Sequence, residues 1–274
     1  MKRSLLVSGF LIVALCVAQA VAFAADSVDY NAGKIRVQGW GLPMEGARTV
    51  DEAELTARDA AVADAYAEMA RAVDSVAVED GRVVKNHRSN RETDMKVSAL
   101  IRGARIVNEQ WTGAKYIVEL EMPLFGATNS LASAIFPETK PQERVSFPKP
   151  TTKVEVTVEI QQTRNAGGYT GLVVDCRGLS LTKAMSPVIK NTSGTKIYGY
   201  KNLDSKKVIH SGMAGYASDL GGATRAGNRP LVVKAVRLED HNFNPVLSVE
   251  DANRVLAEND ISHFLDNCAV VFLR

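Results

Sequence analysis

The chain reads as an α+β protein: one long helix packed on a small antiparallel sheet, followed by a second, mixed α/β domain. Three observations predict this. Thr49 followed by Glu52 is a capping box, and Leu55, Val62, Tyr66, Met69 and Val73 then recur at helical spacing. Alternating, β-branched runs stand on both sides of that helix. Finally, Pro137, Pro141, Pro148 and Pro150 gather among polar residues from Phe136 to Thr151, the composition of an extended, semi-rigid linker.

The elements follow in chain order. Lys34 to Trp40 is a short strand, and the helix runs from Val50 to Val73. Val76 to Val84 holds Asp80-Gly81 between β-branched residues, a hairpin signal. His87 to Asp94 is polar and reads as an exposed loop. Val97 to Trp111 reads mostly as strand, Thr112-Gly113 turns the chain, and Lys115 to Leu124 returns. In that return strand Tyr116, Val118, Leu120 and Met122 face one way and Glu119 and Glu121 the other, the alternation of a half-buried strand. One helix lying on these strands satisfies the pattern.

Beyond the prolines, Val154, Val156, Val158 and Ile160 alternate in a strand from Lys153 to Gln162. After a Gly167-Gly168 turn, Tyr169 to Cys176 is a second strand. Ser186 to Lys190 and Thr195 to Tyr200 form a hairpin around Asn191 to Gly194. Met213 to Ala223 reads as a weak helix between glycines, and Pro230 to Arg237 as an apolar strand. Ser248 with Asp251 caps a helix running to about Asn259. Cys268 to Leu273 is a buried strand. The organisation is therefore a signal segment over residues 1–24, a helix-on-sheet domain over 30–126, a Pro-rich linker over 136–151 and a mixed domain over 152–274.

Residues 1–24 have the parts of a secretory signal: Lys2 and Arg3, an apolar run from Leu5 to Val17, and the small-x-small site Ala22-Phe23-Ala24. An uncleaved anchor is the alternative, because the apolar run is nearly long enough to span a bilayer. Leu15 before Cys16 argues against a lipoprotein cysteine, which needs a small residue there. Cleavage removes Lys2 and Arg3 and leaves 31 basic residues against 31 acidic. That neutrality excludes the electrostatic footprint of a nucleic-acid binder and makes any membrane association indirect.

Two cysteines remain, Cys176 and Cys268. In an oxidising compartment a disulfide would stabilise by about 4–5 kcal/mol in the chain-entropy model; two separate buried thiols are the other reading. Cys176 beside Arg177, with His263 as a distant base, is the one nucleophile candidate, yet it ends an apolar strand where thiols are usually structural. The four histidines are scattered, and His241 beside Asp240 offers at most half a metal site. Gly39-Trp40-Gly41 and Ser193-Gly194-Thr195-Lys196 break the dinucleotide and phosphate-loop patterns and read as turns. No catalytic residue, cofactor, metal or small-molecule substrate is assigned. The Gly-rich run Gly212 to Gly227 is the candidate contact loop, through Met213, Tyr216, Leu220 and Arg225.

The first domain resembles the LPP-type lipoprotein family and the N-terminal domain of flagellar assembly protein T. The matching positions are the Gly-rich strand Gly33 to Gly41, the helix residues Ala53, Ala57, Arg58, Ala61, Asp64, Ala65, Tyr66 and Ala70, the strand Val76 to Val78, and later Gly103, Ile106 and Tyr116-Ile117-Val118. Met69 stands where leucine is usual. The likeness covers Gly33 to Met122. The second domain is similar to a C-terminal extension of some envelope members, through Tyr169 to Asp175, Ser186-Pro187, Tyr198-Gly199 and Asn228 to Val233; Cys176 departs from it, since a small residue is more usual there. The resemblance implies a non-enzymatic structural or assembly protein of the bacterial envelope, exported to the periplasm and associated with the outer membrane or a flagellar ring. Its partner is then an envelope complex or another copy of itself. The rival expectation is a periplasmic ligand-binding module with its site in the C-terminal domain near Gly212 to Gly227.

Overall fold

A computed structural model describes residues 27–79, 81–138, 140–151 and 168–274. The signal segment, Cys16, the strand expected over 153–162 and Gly167 lie outside the described residues. The class is α+β, as the sequence predicts, with several separate sheets.

The first half holds β1 (Val28–Asp29), β2 (Lys34–Gly41), α1 (Val50–Ser75), β3 (Ala77–Glu79), β4 (Arg82–Val83), α2 (Val84–His87), α3 (Arg91–Arg102), β5 (Arg105–Trp111), β6 (Tyr116–Pro123) and α4 (Leu131–Ile135). Its antiparallel sheet has the order β1-β2-β6-β5, with α1 lying across β2 and β6. Thr49 caps α1 by accepting a hydrogen bond from the Glu52 amide at 3.1 Å, while Glu52 reaches back to the Arg48 amide at 2.9 Å.

The buried face of α1 differs from the expected stripe. Ala57, Ala61, Ala65, Met69, Ala72 and Val73 face the sheet. Val62 and Tyr66 sit on the flank toward β5, where the Tyr66 hydroxyl donates to the Ala104 carbonyl at 3.2 Å, and Leu55 is 60% exposed. Gly39 and Gly41 on β2 are the cause. A Cβ at Gly39 would stand 2.5 Å from Ala65 Cα and 2.6 Å from the Ala61 carbonyl oxygen; one at Gly41 would stand 2.7 Å from Ala60 Cβ. Backbone meets backbone there, so only alanines fit beneath the helix. These two glycines are thus packing positions within β2 and not turns.

The segment expected as loop then strand, His87 to Trp111, is helix over its first half. Asn90 caps α3 by accepting from the Glu92 and Thr93 amides, and Val97 and Ile101, four residues apart, bury one face. Arg88 ties it to α1, donating to Asp74 and Asp94 at 2.7 Å each and to Ser98 at 3.1 Å.

The second half holds β7 (Gly171–Asp175), β8 (Ile189–Asn191), β9 (Lys196–Tyr198), α5 (Ser205–Ser211), β10 (Gly215–Ala217), β11 (Pro230–Lys234), β12 (Arg237–Glu239), β13 (Asn244–Leu247), α6 (Val249–Ser262) and β14 (Val270–Leu273). A parallel sheet has the order β10-β14-β7-β11, and a mixed sheet the order β12-β13-β8-β9. Ser248 caps α6 by accepting from the Asp251 amide at 2.9 Å. The helix expected over Met213 to Ala223 is absent. The helix precedes it, as α5, and stops at Gly212, whose φ of +74° suits glycine. The residues that follow form β10 beside β14.

The prolines do not form a free spacer. The Val145 amide donates to the Lys201 carbonyl at 2.8 Å, Phe136 stacks on Tyr200 at 5.1 Å, and the Thr151 amide donates to Asn253 Oδ1 at 3.1 Å. One buried cluster runs from Tyr30 through Met69, Val118 and Leu172 to Phe272, so the two halves share a core.

Candidate functional site

One seam between the halves lies near the ends of the parallel strands. The Met185 and Ser186 amides donate to the Ala77 and Val78 carbonyls at 2.9 and 2.8 Å. Asn31 Nδ2 donates to the Tyr216 carbonyl at 2.6 Å, and the Tyr216 amide donates back to Asn31 Oδ1 at 3.0 Å. A cleft of about 560 Å³ opens beside this seam, lined among others by Tyr30, Ser75, Ser180, Thr182, Lys183 and Arg274. Hydroxyls and two basic side chains converge there at the carboxyl end of β14, the usual position of ligand sites in parallel sheets.

The expected contact loop is dispersed. Met213 is fully buried and its carbonyl accepts from the Tyr198 hydroxyl at 2.6 Å. Tyr216 is also core: its ring meets Tyr30 edge-on at 5.4 Å, and its hydroxyl exchanges hydrogen bonds with the Ala184 amide and carbonyl at 2.9 Å each. Burial raises its pKa well above the usual phenol range. Arg225 spends its guanidinium on the Ser211, Gly212 and Cys268 carbonyls at 2.7, 2.7 and 2.9 Å. Leu220 alone of the four is mostly exposed, at 54%. Met213 and Tyr216 therefore hold the core together and do not present a surface. A second cavity of about 440 Å³ lies by this segment, against Asn31, Thr224 and Arg225.

Cys176 and Cys268 are both free and buried. They sit at opposite ends of neighbouring parallel strands: Leu172 pairs with Val270, so Cys268 lies level with the start of β7 and Cys176 beyond its finish. Six residues of strand separate those levels, about 20 Å, far outside disulfide reach. The nucleophile candidate loses its activator as well. Asp175 Oδ1 and Oδ2 accept from Arg177 Nε and Nη2 at 2.9 and 2.7 Å, and that pairing pulls the carboxyl down to about 2. Burial, with the Asp175 charge, pushes the Cys176 thiol up to about 12. His263 closes α6 next to Asp266, at the Cys268 end of the sheet. Asp240 beside His241 is held by Lys190 Nζ and Asn244 Nδ2, each at 2.7 Å. Among the described residues no three His, Cys, Asp or Glu side chains gather around a metal-sized space.

Two surface regions of the first half stand out instead. At the start of α1, Leu42, Met44, Val50 and Leu55 are 57%, 56%, 70% and 60% exposed, and the Met44 amide donates to Thr56 Oγ1, which fixes the loop against the helix. At the far end, α3 exposes Met95 to 62%. The edge strand β5 is exposed from Arg105 to Gln110, but a bulge between Ile106 and Asn108 breaks its regular ladder. On the open face of the sheet Glu121 is 5% exposed beneath Lys34, Arg36 and Arg105. Its burial alone would raise its pKa; hydrogen bonds from Arg36 and Lys34 outweigh that and lower it.

A family described as the second domain of Treponema pallidum Tp0624 matches residues 171–274, from the first residue of β7 through both sheets of the second half. The match spans well under half of the chain. No curated protein matches the chain.

Proposed function

We propose that this protein is a non-enzymatic component of the bacterial cell envelope, exported to the periplasm, that acts by association with further copies or with another envelope protein. The observation that carries this reading is the set of large apolar side chains left exposed at one end of the first half, Leu42, Met44, Val50 and Leu55. Such residues grouped on a folded surface mark a place where another protein sits. The likeness of Gly33 to Met122 to LPP-type lipoproteins and to flagellar assembly protein T supports the envelope setting, as does the apolar leader of the sequence.

The test is crosslinking in cells, with light scattering of the exported protein and sequencing of its N-terminus. The reading expects a chain beginning at Ala25 and a stable homo-oligomer or crosslinked envelope partner. A chain that is not exported, or a strict monomer with no crosslinked partner, would refute it.

The cleft beside Tyr30, Ser180 and Lys183 favours a second reading, a periplasmic ligand-binding module. Its hydroxyls and basic side chains suit a small anionic, hydroxylated ligand. Thermal stabilisation by such a compound, lost in Lys183→Ala, would place this reading ahead.

A further inference from the structure

The net charge of the chain hides a segregation that the fold turns into geometry. Residues 45–59, which include the first turns of α1, hold five acidic residues and two basic. Residues 82–102, which form β4, α2 and α3, hold six basic residues and two acidic. The acids Asp51, Glu54 and Asp59 form no ion pair among the described residues, and neither do Lys85, Arg91 and Arg102.

These two groups lie at opposite ends of one rigid rod. The acidic group surrounds the start of α1, whereas α3 is fastened near its finish by the Arg88–Asp74 bond. Leu55 and Asp74 stand about 28 Å apart along the helix axis at 1.5 Å per residue. Each group encloses exposed apolar surface. The acidic end presents Val50 and Leu55. On α3, Arg91, Met95, Ala99 and Arg102 follow the spacing of a single exposed face, with Met95 and Ala99 between the two arginines. An apolar centre inside a charged rim is the anatomy of an interface, and here the two rims are of opposite net sign.

We propose that copies of this chain associate head to tail, the acidic end of α1 in one copy seating against α3 of the next. This rests on the association reading above and names its partner and surface. Because the two patches differ and lie far apart, one contact leaves both outer patches free, and the contact repeats. Such heterologous interfaces build a ring if the rotation closes and a filament if it does not. Opposite rims set the orientation and speed the encounter, while Leu55, Val50 and Met95 supply the apolar surface.

The test uses the exported full-length protein and two variants, Leu55→Lys in the acidic patch and Met95→Glu in the basic one. Both residues are over half exposed, and melting curves check that the variants fold. In sedimentation, wild type should form species larger than a dimer, and these should shrink as salt rises and the rims are screened. Each variant alone should sediment as a monomer at the same concentration. An equal mixture should stop at a dimer of one copy of each, because only one intact pair of patches remains. Wild-type assembly that both variants retain would overturn this interface and leave the association reading standing. A monomeric wild type that still crosslinks to another envelope protein would do the same. A monomeric wild type without any crosslinked partner would remove both.

Discussion

Replacing Gly39 by alanine should destabilise the first half severely, although alanine is ordinarily the better residue in a strand. Glycine in a strand interior costs about 0.5–1 kcal/mol relative to alanine, so that much would be gained. Against it stands the new methyl group. Its carbon would lie 2.5 Å from Ala65 Cα and 2.6 Å from the Ala61 carbonyl oxygen, where ordinary contact begins near 3.4 Å. These neighbours, and the Ala65 nitrogen that lies nearer still, are helix backbone and cannot rotate aside, so α1 must lift by at least roughly 0.9 Å from β2. A gap of that size forfeits about a quarter to a half of each dispersion contact. The loss falls on Ala57, Ala61, Ala65 and Met69 together, all fully buried. With the usual overpacking penalty of about 1–3 kcal/mol as a floor, a net loss of about 3–4 kcal/mol is expected. For a chain of this size that lowers the melting temperature by about 6–16 °C. The assay is circular dichroism on heating, with Ala63→Ser on the outer face of α1 as the control. A Gly39→Ala protein that melts with wild type would show that α1 does not rest on β2 through these glycines.

Three further outcomes are expected. Tyr216→Phe should lower stability by about 1–3 kcal/mol, because the Ala184 amide and carbonyl are both left buried without their partner; an unchanged denaturant midpoint would refute the buried pairing of Tyr216 with Ala184. Asp175 has a folded pKa near 2, below its unfolded value of about 4. Its bond to Arg177 therefore adds stability above about pH 4 that is lost as the pH falls toward 2. Asp175→Asn should flatten that part of the acid unfolding curve, and an identical curve would show the pairing to be inconsequential. Finally, a thiol reagent at pH 8 should label neither Cys176 nor Cys268 until the protein is unfolded, since burial raises both thiols above their usual range. Rapid labelling of the native protein would reopen the nucleophile reading of Cys176.

Much of the fold was legible because local chemistry decides it. Thr49, Asn191 to Gly194 and Ser248 each satisfy backbone groups within a few residues, so the start of α1, the β8–β9 turn and the start of α6 could be read directly. The buried face of α1 could not. Leu55, Val62 and Tyr66 are more apolar than Ala57, Ala61 and Ala65, and only the glycines across the interface reverse the preference. The helix α3 was hidden by the β-branched and aromatic content of Val97 to Trp111, while its own signal, the Asn90 cap with Val97 and Ile101, was present but short. The Gly-rich run misled in the other direction. Its glycines suggested an exposed loop, yet Met213 and Tyr216 are drawn into the core by β14 and by the first half. Net charge was the least informative quantity, because averaging erased the opposite charges at the two ends of α1.

The position of β14 also bears on when the molecule can become itself. Its four residues, 270–273, stand between β10 and β7, one of the two inner places of the parallel sheet. Until they dock, β10 has no strand beside it and β7 has only β11, so the sheet cannot close around Leu172, Val174 and Tyr216. Pairings this distant in sequence are slow to form in any case. Closure of the parallel sheet thus waits on a strand that follows β7 by nearly a hundred residues. The same delay leaves apolar strand residues uncovered for longest at the stage when they are most prone to aggregate, so the order of strands that defers folding also sets the interval over which the chain most needs protection.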